Sequence, residues 1–316
     1  MKIVILLYTK NGVDYLGEQL QSLLKQDMSE KAEIKIFVRD DGSTDMTKEI
    51  LDRYQREEKL TFYEGEAIGK TKSFWELLEK AEEADYYAFC EQDDVWFPEK
   101  LSRAIKYLET KSIIEGEDVD VAVSPLLYMS DYTVTNAKLK PVKFTRNKTT
   151  KYADFEHSLL YSTMPGSTYV FNASARELML RYDVNRYFDG NYDDLARNII
   201  YIVGQVIRDR VPTMYLRKNP ADPFYDNYFG GFFGAIKQYL AHFSGKNANS
   251  RSKLAKGLME TFGAGMEDSD ALEALKQVAK YDEDSVEKER LLANPKFVTG
   301  SFNDKLFKMA VNSNKL

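Results

Sequence analysis

The side chains best suited to chemistry lie in the acidic stretch 91–94, of sequence EQDD, which follows the apolar run 86–90. Two adjacent carboxylates at the end of a buried strand, here Asp93 and Asp94, can hold a divalent cation. Such a cation neutralises charge on a departing diphosphate, acting as a Lewis acid. The alternative is that the pair only caps a turn and the following helix. Its position between an apolar strand and Trp96 favours a metal site.

The residue counts restrict the metal to a hard cation. The chain has only His157 and His242 and a single cysteine, Cys90, which excludes a histidine-rich zinc site. Asp93 and Asp94 offer oxygen ligands, which Mg²⁺ and Mn²⁺ prefer. The predicted cofactor is therefore Mn²⁺ or Mg²⁺. A single cysteine also fits a reducing compartment.

A second acidic cluster, RDDGSTD at residues 39–45, directly follows the predicted strand 34–38. A carboxylate in this position, such as Asp41, can accept a hydrogen bond from the imide N–H of a pyrimidine base. Gly42 permits close approach of the backbone to a ligand. A plain turn followed by a helix cap is the alternative interpretation.

The elements that position both clusters alternate along the first hundred residues. Strands are predicted at 3–7, which is continuously apolar, and at 34–38, 60–63 and 86–90, and helical periodicity follows each of the first three. This alternation predicts a parallel sheet with right-handed crossovers. Such sheets bind ligands beyond the carboxyl ends of their strands, which is where the acidic clusters lie.

From residue 119 onward, the predicted strands and helices alternate less regularly. Strands are predicted at 119–124, 168–172 and 211–216, with a polar, loop-like stretch at 130–155. A helix is predicted to start near Asp194, with apolar positions that continue to Val206 at helical spacing.

Charge and hydropathy exclude two classes of protein. A formal net charge of −6 and a pI near 5.3 argue against a nucleic-acid binder that relies on a global positive field. No apolar segment reaches the length of a transmembrane helix. The predicted location is therefore the cytoplasm or the cytoplasmic face of a membrane.

Taken together, in this order and after strands, the acidic clusters resemble those of family 2 glycosyltransferases with the GT-A fold. The likeness is greatest to bacterial rhamnosyltransferases that build cell-wall and capsular polysaccharides. It is specific over roughly the first 110 residues, weaker to about 220 and nearly absent beyond. The features that carry it are Thr9-Lys10-Asn11-Gly12, Tyr15-Leu16, Gln19-Leu20, the run 40–45, Gly69, Ser73-Phe74, Leu77-Leu78, Gln92-Asp93-Asp94-Val95-Trp96, and Pro165-Gly166-Ser167 with Val170-Phe171-Asn172.

The resemblance implies a role for each matching residue. Asp93 becomes the principal metal ligand, with Asp94 beside the metal, while Thr9 and Asp41 contact the base. Glu91 faces the ribose or the outer shell of the metal. The other residues expected at the nucleotide-sugar site are Asn11, Gly69, Lys72, Gln92, Trp96, which packs beneath it, and Arg217, which places a cation on the diphosphate.

An inverting displacement needs a general base for the acceptor hydroxyl. The stretch that matches the family's base is Tyr192-Asp193-Asp194, so Asp193 is the first candidate and Asp194 the second. The alternative is that both residues only cap the helix that begins there. The chain departs from the family pattern at Lys10, where Tyr is common, and at Tyr192, where His is common.

The resemblance also sets the expected organisation. The fold class is α/β, with a GT-A-like (Rossmann-like), mostly parallel sheet, flanking helices and a helical C-terminal extension. Residues 1–220 form the catalytic domain, with a nucleotide-sugar-binding half (1–118) and an acceptor half (119–220), and residues 221–316 form the extension. The aromatic and basic segment 224–256 is either a peripheral membrane contact or a helical packing or homodimer contact.

The predicted function is transfer of a sugar, rhamnose being one candidate, from a dTDP- or UDP-sugar to a glycan or lipid-linked acceptor in surface polysaccharide synthesis. One alternative is a non-catalytic glycan-binding or scaffold protein that retains the fold. A nucleotidyltransferase is a weaker alternative, because residues 9–12 lack a glycine-rich phosphate loop.

Overall fold

The computed structural model describes residues 1–28, 32–111, 124–141, 155–160, 164–187, 190–218, 249–266, 269–297 and 302–316. The chain divides into two compact units. The first comprises Met1–Lys148, Met164–Leu180 and Val203–Lys218. The second comprises Thr149–Thr163, Arg181–Ile202 and Asn219–Leu316. This division differs from the expected split at residue 220, because segments around residues 158 and 194 associate with the C-terminal helices.

Ten strands are found within the described residues. They are β1 (Lys2–Thr9), β2 (Glu33–Asp40), β3 (Thr61–Glu64), β4 (Tyr86–Glu91), β5 (Val95–Trp96), β6 (Leu126–Ser130), β7 (Thr133–Thr135), β8 (Tyr169–Asn172), β9 (Gln205–Asp209) and β10 (Met214–Arg217). Seven of them form one sheet in the order β3-β2-β1-β4-β8-β6-β9, and β5, β10 and β7 form a small second sheet.

Most neighbours in the large sheet are parallel. The strands β3, β2, β1 and β4 run in one direction, and β6 is parallel to β9. Only β8 is antiparallel to its neighbours β4 and β6. The predicted α/β class with a mostly parallel sheet is confirmed.

Twelve α-helices are found in the same described ranges. They are α1 (Leu16–Leu23), α2 (Thr47–Arg56), α3 (Lys70–Lys80), α4 (Lys100–Lys111), α5 (Phe155–Leu160), α6 (Ala173–Leu180), α7 (Val184–Tyr187), α8 (Tyr192–Val203), α9 (Ser250–Phe262), α10 (Asp270–Lys280), α11 (Ser285–Ala293) and α12 (Phe302–Asn312). None of them combines the length and apolar character needed to cross a bilayer.

The core of the first unit follows the two-residue period of its strands. Ile3, Ile5 and Leu7 of β1 face one side of the sheet, in the same cluster as apolar side chains of α1, α2 and α4. On the other side an aromatic row begins at Phe74 of α3 and continues through Phe89 to Phe171. Burial on both faces explains why the β1 sequence is continuously apolar.

The later elements differ in part from the expectation. The predicted helix ends at Val203, and Val206 lies in β9 instead. Gly204 accounts for the break, because a Cβ there would lie 2.2 Å from the carbonyl oxygen of Pro125. The late strand runs from Met214 to Arg217 rather than over 211–216. Residues 119–123 of another predicted strand, and residues 224–248 of the aromatic and basic segment, lie outside the described residues.

Candidate functional site

The carboxyl ends of three adjacent strands bring the candidate residues to one edge of the sheet. Thr9 is opposite Asp40 in the β1–β2 register, and Tyr8 is opposite Glu91 in the β1–β4 register. Asp41 follows directly after β2, and the stretch 92–94 follows directly after β4. The two acidic clusters therefore flank the end of β1, as the predicted parallel sheet requires.

Asp41 is fully buried and is held by protein donors on one of its oxygens. Its Oδ1 accepts hydrogen bonds from Arg39 Nη1 at 2.6 Å, the Ile68 backbone N–H at 2.9 Å and Ser73 Oγ at 3.1 Å. Burial alone raises the pKa of Asp41, but these donors and the Gly69 N–H together bring it below its usual value. Asp41 is therefore a fixed, ionised carboxylate.

Within the described part of the chain, the second oxygen of Asp41 has only long contacts. Its Oδ2 lies 3.2 Å from the Gly69 nitrogen, 3.4 Å from the Tyr8 hydroxyl and 3.6 Å from Lys10 Nζ. A carboxylate oxygen accepts several hydrogen bonds, so this atom retains capacity for a ligand donor.

Arg39 is the buried cation that fixes Asp41, and the sequence analysis gave it no role. Besides Asp41, its guanidinium donates to Glu76 Oε2 at 2.6 Å and to the Glu66 carbonyl at 3.0 Å. A Cβ at Gly65 would lie 2.5 Å from Arg39 Nη2, so the absence of a side chain there makes room for the guanidinium. The sequence signal for this pair was the RDDG stretch, in which Arg39 stands two residues before Asp41.

Gln92 connects the end of β4 to the loop after β1. Its Oε1 accepts from Thr9 Oγ1 at 2.6 Å and from the Lys10 backbone N–H at 2.8 Å. Its Nε2 donates to the Lys10 carbonyl at 3.0 Å. Thr9 and Gln92, both predicted to contact the nucleotide sugar, are thus bound to each other.

Asn11 connects the same loop to the second acidic cluster. Its backbone N–H donates to Ser43 Oγ at 2.8 Å, and its Oδ1 accepts from the Thr44 backbone N–H at 2.8 Å. Asn11 has a positive φ of 49°, which asparagine tolerates better than most residues. The loop after β1 is therefore braced from both sides.

Substituting Gly12 with alanine should loosen this loop. The new Cβ would lie 2.4 Å from Gln92 Oε1 and 2.9 Å from Thr9 Oγ1, so the Gln92 amide would be displaced. We expect affinity for the nucleotide predicted from the sequence to fall about 10-fold, since a net hydrogen bond contributes roughly 1 kcal/mol. Overpacking should lower the free energy of unfolding by about 1–3 kcal/mol. Calorimetric titration and chemical denaturation measure the two effects.

Gly17→Ala is the matched control for Gly12→Ala. Gly17 lies within α1, and a Cβ there meets no atom within 4 Å. We expect this variant to keep its nucleotide affinity and to gain roughly 0.5–1 kcal/mol of stability. Wild-type nucleotide affinity in Gly12→Ala would show that the Gln92 contact does not organise the site.

Asp94 is the most unusual group at this edge. Its side chain is only 1% exposed, and neither carboxyl oxygen has a hydrogen-bond partner among the described residues. Burial, with the charges of Asp93 and Glu91, raises the pKa of Asp94 well above its usual value, and the nearby Ser167 hydroxyl only partly opposes this. Buried polar groups normally have partners, and a cation would supply one here.

Asp93 and Glu91 complete an acidic group around Asp94. Burial and the Glu91 carboxylate raise the pKa of Asp93, and the Lys70 ammonium opposes the shift. Lys70 Nζ lies 2.6 Å from Glu91 Oε2. Across the described ranges, no three His, Cys, Asp or Glu side chains converge as a complete protein metal site would require.

A buried cation lies beneath this acidic group. Lys100 is fully buried, with Nζ 4.7 Å from the centre of the Trp96 ring and 3.9 Å from Met214 Sδ. Burial lowers the pKa of Lys100 to about 7, although the nearby Cys90 and Asp94 favour its charged form. Trp96 is 3% exposed, so it forms part of the packing below the acidic residues.

Arg217 contacts protein groups. Its Nε donates to the Asp93 carbonyl at 2.9 Å and its Nη1 to the Ala137 carbonyl at 2.6 Å, while Nη2 pairs with Glu18. The guanidinium also lies 4.5 Å from the centre of the Tyr15 ring. Arg217, which the sequence predicts to contact the diphosphate, therefore lies against the backbone of Asp93.

Gly69 and Lys72 differ in their contacts. Gly69 has a φ of +87°, which glycine adopts without strain, and its N–H points to Asp41. Lys72 lies exposed in the first turn of α3.

In the second unit, Asp193 and Asp194 occupy the first turn of α8. Asp194 is buried, and its two oxygens pair with Arg197 Nη2 at 2.8 Å and Arg251 Nη2 at 2.9 Å. Asp193 is partly exposed, and its Oδ1 accepts from the Asp194 backbone N–H at 2.9 Å. The two carboxylates therefore have different environments, with Asp194 committed to an ion-pair network.

Comparison with known proteins identifies a family for the first half of the chain. Residues 3–157 match the model of glycosyl transferase family 2. Residues 3–157 therefore carry the sequence of a family 2 glycosyltransferase domain. That match includes the acidic clusters at the ends of β2 and β4.

Among relatives of this glycosyltransferase domain is the dTDP-rhamnosyl transferase RfbG of Shigella flexneri, 33% identical over 106 residues. Another is the poly(ribitol-phosphate) β-N-acetylglucosaminyltransferase TarS of Staphylococcus aureus, 32% identical over 111 residues. The aligned segments are 32% and 34% of this chain, and they span only 36% and 19% of the lengths of these two relatives.

A solved structure extends the likeness of fold beyond the family 2 glycosyltransferase domain. The crystal structure of S. aureus TarS 1-349 in complex with UDP-GlcNAc matches with a TM-score of 0.55 and 19% identity. The match covers 99% of this chain and 91% of that one. The GT-A-like fold expected from the sequence is thereby confirmed.

Proposed function

We propose that the chain is an inverting glycosyltransferase that moves a sugar from a dTDP- or UDP-sugar to a glycan or lipid-linked acceptor in surface polysaccharide synthesis. The observation that carries the proposal is the placement of two groups at the same edge of the sheet: the fixed Asp41 carboxylate, and the Asp94 carboxyl group, which has no hydrogen-bond partner among the described residues. Its place of action would be the cytoplasm or the cytoplasmic face of a membrane.

The donor follows from the chemistry of Asp41 and from the relatives. Uracil and thymine each present an imide N–H, for which Asp41 Oδ2 is a suitable acceptor. One relative is named a dTDP-rhamnosyl transferase, and the TarS structure contains UDP-GlcNAc. A pyrimidine nucleotide sugar is therefore the proposed donor, with rhamnose as one candidate sugar.

The acidic residues after β4 suit a hard divalent cation. Mg²⁺ characteristically binds through one or two carboxylates and the phosphates of its substrate, so a complete protein cage is not required. Asp93 and Asp94 would hold Mn²⁺ or Mg²⁺, and the unsatisfied oxygens of Asp94 support this assignment. The bound cation would supply positive charge against the departing diphosphate.

In the proposed reaction the acceptor hydroxyl oxygen bonds to the anomeric carbon as the bond from that carbon to the diphosphate breaks. The nucleoside diphosphate leaves, and the configuration at the carbon inverts. Asp193 takes the hydroxyl proton as general base. Asp194 holds the first turn of α8 in place through Arg197 and Arg251.

A thermal-shift panel of nucleotide sugars, with and without Mn²⁺, tests the proposal. A ligand that binds only the native state raises the melting temperature by mass action. We expect a metal-dependent shift with a pyrimidine nucleotide sugar and none in Asp93→Ala. The absence of a shift with every nucleotide would favour a glycan-binding scaffold protein instead.

Asp193→Asn should separate binding from chemistry. A general base contributes about 10²–10⁴-fold to rate, so we expect transfer to fall by that factor while the nucleotide-induced thermal shift persists. Asp193→Glu, which keeps the carboxylate, should recover part of the rate. Wild-type transfer by Asp193→Asn would remove this residue from the mechanism.

A further inference from the structure

Lys70 lies at the junction of the two acidic clusters. It is the first residue of α3, its Nζ is 2.6 Å from Glu91 Oε2, and it lies 5.9 Å from the centre of the Tyr8 ring. The Lys70 side chain is 44% exposed and that of Glu91 is 21% exposed. The pair is thus accessible to solvent and to ligands.

The charged groups that act most strongly on Lys70 are carboxylates of the predicted metal site. Partial burial lowers the pKa of Lys70, but the Glu91 and Asp93 carboxylates outweigh this effect and raise it. Lys70 in turn opposes the raised pKa of Asp93, and Lys218 acts in the same direction. Lys70 therefore supplies positive charge to the same carboxylates that would bind a divalent cation.

The residues just before Lys70 anchor it to the opposite end of the site. The backbone N–H groups of Ile68 and Gly69 donate to Asp41 at 2.9 and 3.2 Å. Three residues reach at most about 10 Å, so the segment 68–70 joins the proposed base-binding carboxylate to the metal-binding group. A nucleoside diphosphate bound between these groups would lie within reach of the Lys70 side chain.

We propose that Lys70 is a tethered cation that occupies the acidic group in the ligand-free protein and moves its ammonium to the diphosphate when donor and metal bind. The inference rests on the proposed function. A divalent cation at Asp93 repels the ammonium, and the incoming diphosphate offers it anionic oxygens. The long lysine stem with three rotatable donors suits such an exchange.

Lys70, rather than the sequence-predicted Lys72, fits this role. Over two residues a helix turns by about 200°, so the two side chains leave α3 in different directions. Lys70 is the one that contacts Glu91.

Two measurements on Lys70→Met test the inference. Without nucleotide, loss of the competing cation should tighten binding of Mn²⁺ alone by about 5-fold, the upper range for an exposed ion pair. Without metal, loss of a charge-assisted hydrogen bond should weaken binding of UDP or dTDP by about 10-fold. Paramagnetic resonance of free Mn²⁺ and calorimetry in the presence of a chelator provide these two affinities.

Two control variants make the result specific. Lys70→Arg keeps the charge and should stay within about 2-fold of wild type in both measurements. Lys35→Met breaks an exposed Lys–Glu pair of 2.9 Å with Glu33, near the amino end of β2, and should change neither affinity.

The outcomes distinguish this inference from the proposed function. Wild-type protein that binds neither Mn²⁺ nor a nucleoside diphosphate would overturn both. Wild-type protein that binds both ligands, with Lys70→Met unchanged or weaker toward Mn²⁺ alone, would overturn only the role of Lys70.

Discussion

Asp94→Asn should raise the melting temperature of the protein and at the same time abolish metal-dependent transfer. The buried carboxyl group of Asp94 has no partner among the described residues, and neighbouring Asp93 and Glu91 disfavour its charge. Removing that charge should stabilise the fold by about 1 kcal/mol or more, which is roughly 2–4 °C. The same change removes a proposed metal ligand, so transfer should fall about 1,000-fold.

Asp93→Asn is the companion variant. Asp93 is only partly buried, and its charged form is disfavoured less than that of Asp94. Its replacement should therefore abolish transfer with little gain in melting temperature. Differential scanning calorimetry without metal and a donor-consumption assay with Mn²⁺ measure the two properties. An Asp94→Asn protein that is less stable than wild type, or that keeps its Mn²⁺ response, would contradict the assignment.

Arg39→Met should cause the largest loss of stability. Arg39 and Asp41 are 1% and 0% exposed, and the variant leaves the Asp41 carboxylate buried without its cation. Breaking such a buried pair costs about 3–5 kcal/mol. Nucleotide binding should be lost as well, because Arg39 fixes the carboxylate proposed to recognise the base.

The pH dependence and a double variant identify the cause of this loss. The pKa of Asp41 is lowered in the folded protein, so its contribution to stability is fully present above the unfolded value of about 3.9 and is lost as pH falls through the lower folded value. The difference in unfolding free energy between wild type and Arg39→Met should therefore shrink below about pH 4. Arg39→Met combined with Asp41→Asn should recover stability but not nucleotide binding. A constant difference across pH would contradict a charge-based cause.

The first half of the fold could be predicted because its signals are local. Short segments rich in apolar residues predicted β1 to β4, and the acidic clusters after β2 and β4 indicated the ligand edge of a parallel sheet. The later strands depend on partners distant in sequence: Leu126 pairs with Gln205, and Met214 pairs with Trp96. Periodicity alone could not show that Val206 leaves the helix, although Gly204 was a usable signal.

The residue types of the candidate site could be predicted from the sequence, but the contacts between those residues could be predicted only in part. Asp41, Asp93 and Asp94 lie at the expected edge. The roles of Gln92 and Arg217 as braces depend on side-chain directions across strands, which spacing does not encode. The same is true of Arg39, which Glu76 of α3 holds beside Asp41, and of Lys70 on Glu91, because both arrangements depend on the packing of α3 on the sheet.

The central claim is that the carboxylates after β4 hold a divalent cation that holds a diphosphate. Crystals grown with Mn²⁺ and UDP or dTDP, measured at the manganese absorption edge, test it most directly. The account predicts an anomalous peak between the Asp93 and Asp94 carboxylates and the diphosphate oxygens, with the base against Asp41. A nucleotide bound without manganese at these residues, or an anomalous peak elsewhere, would contradict it.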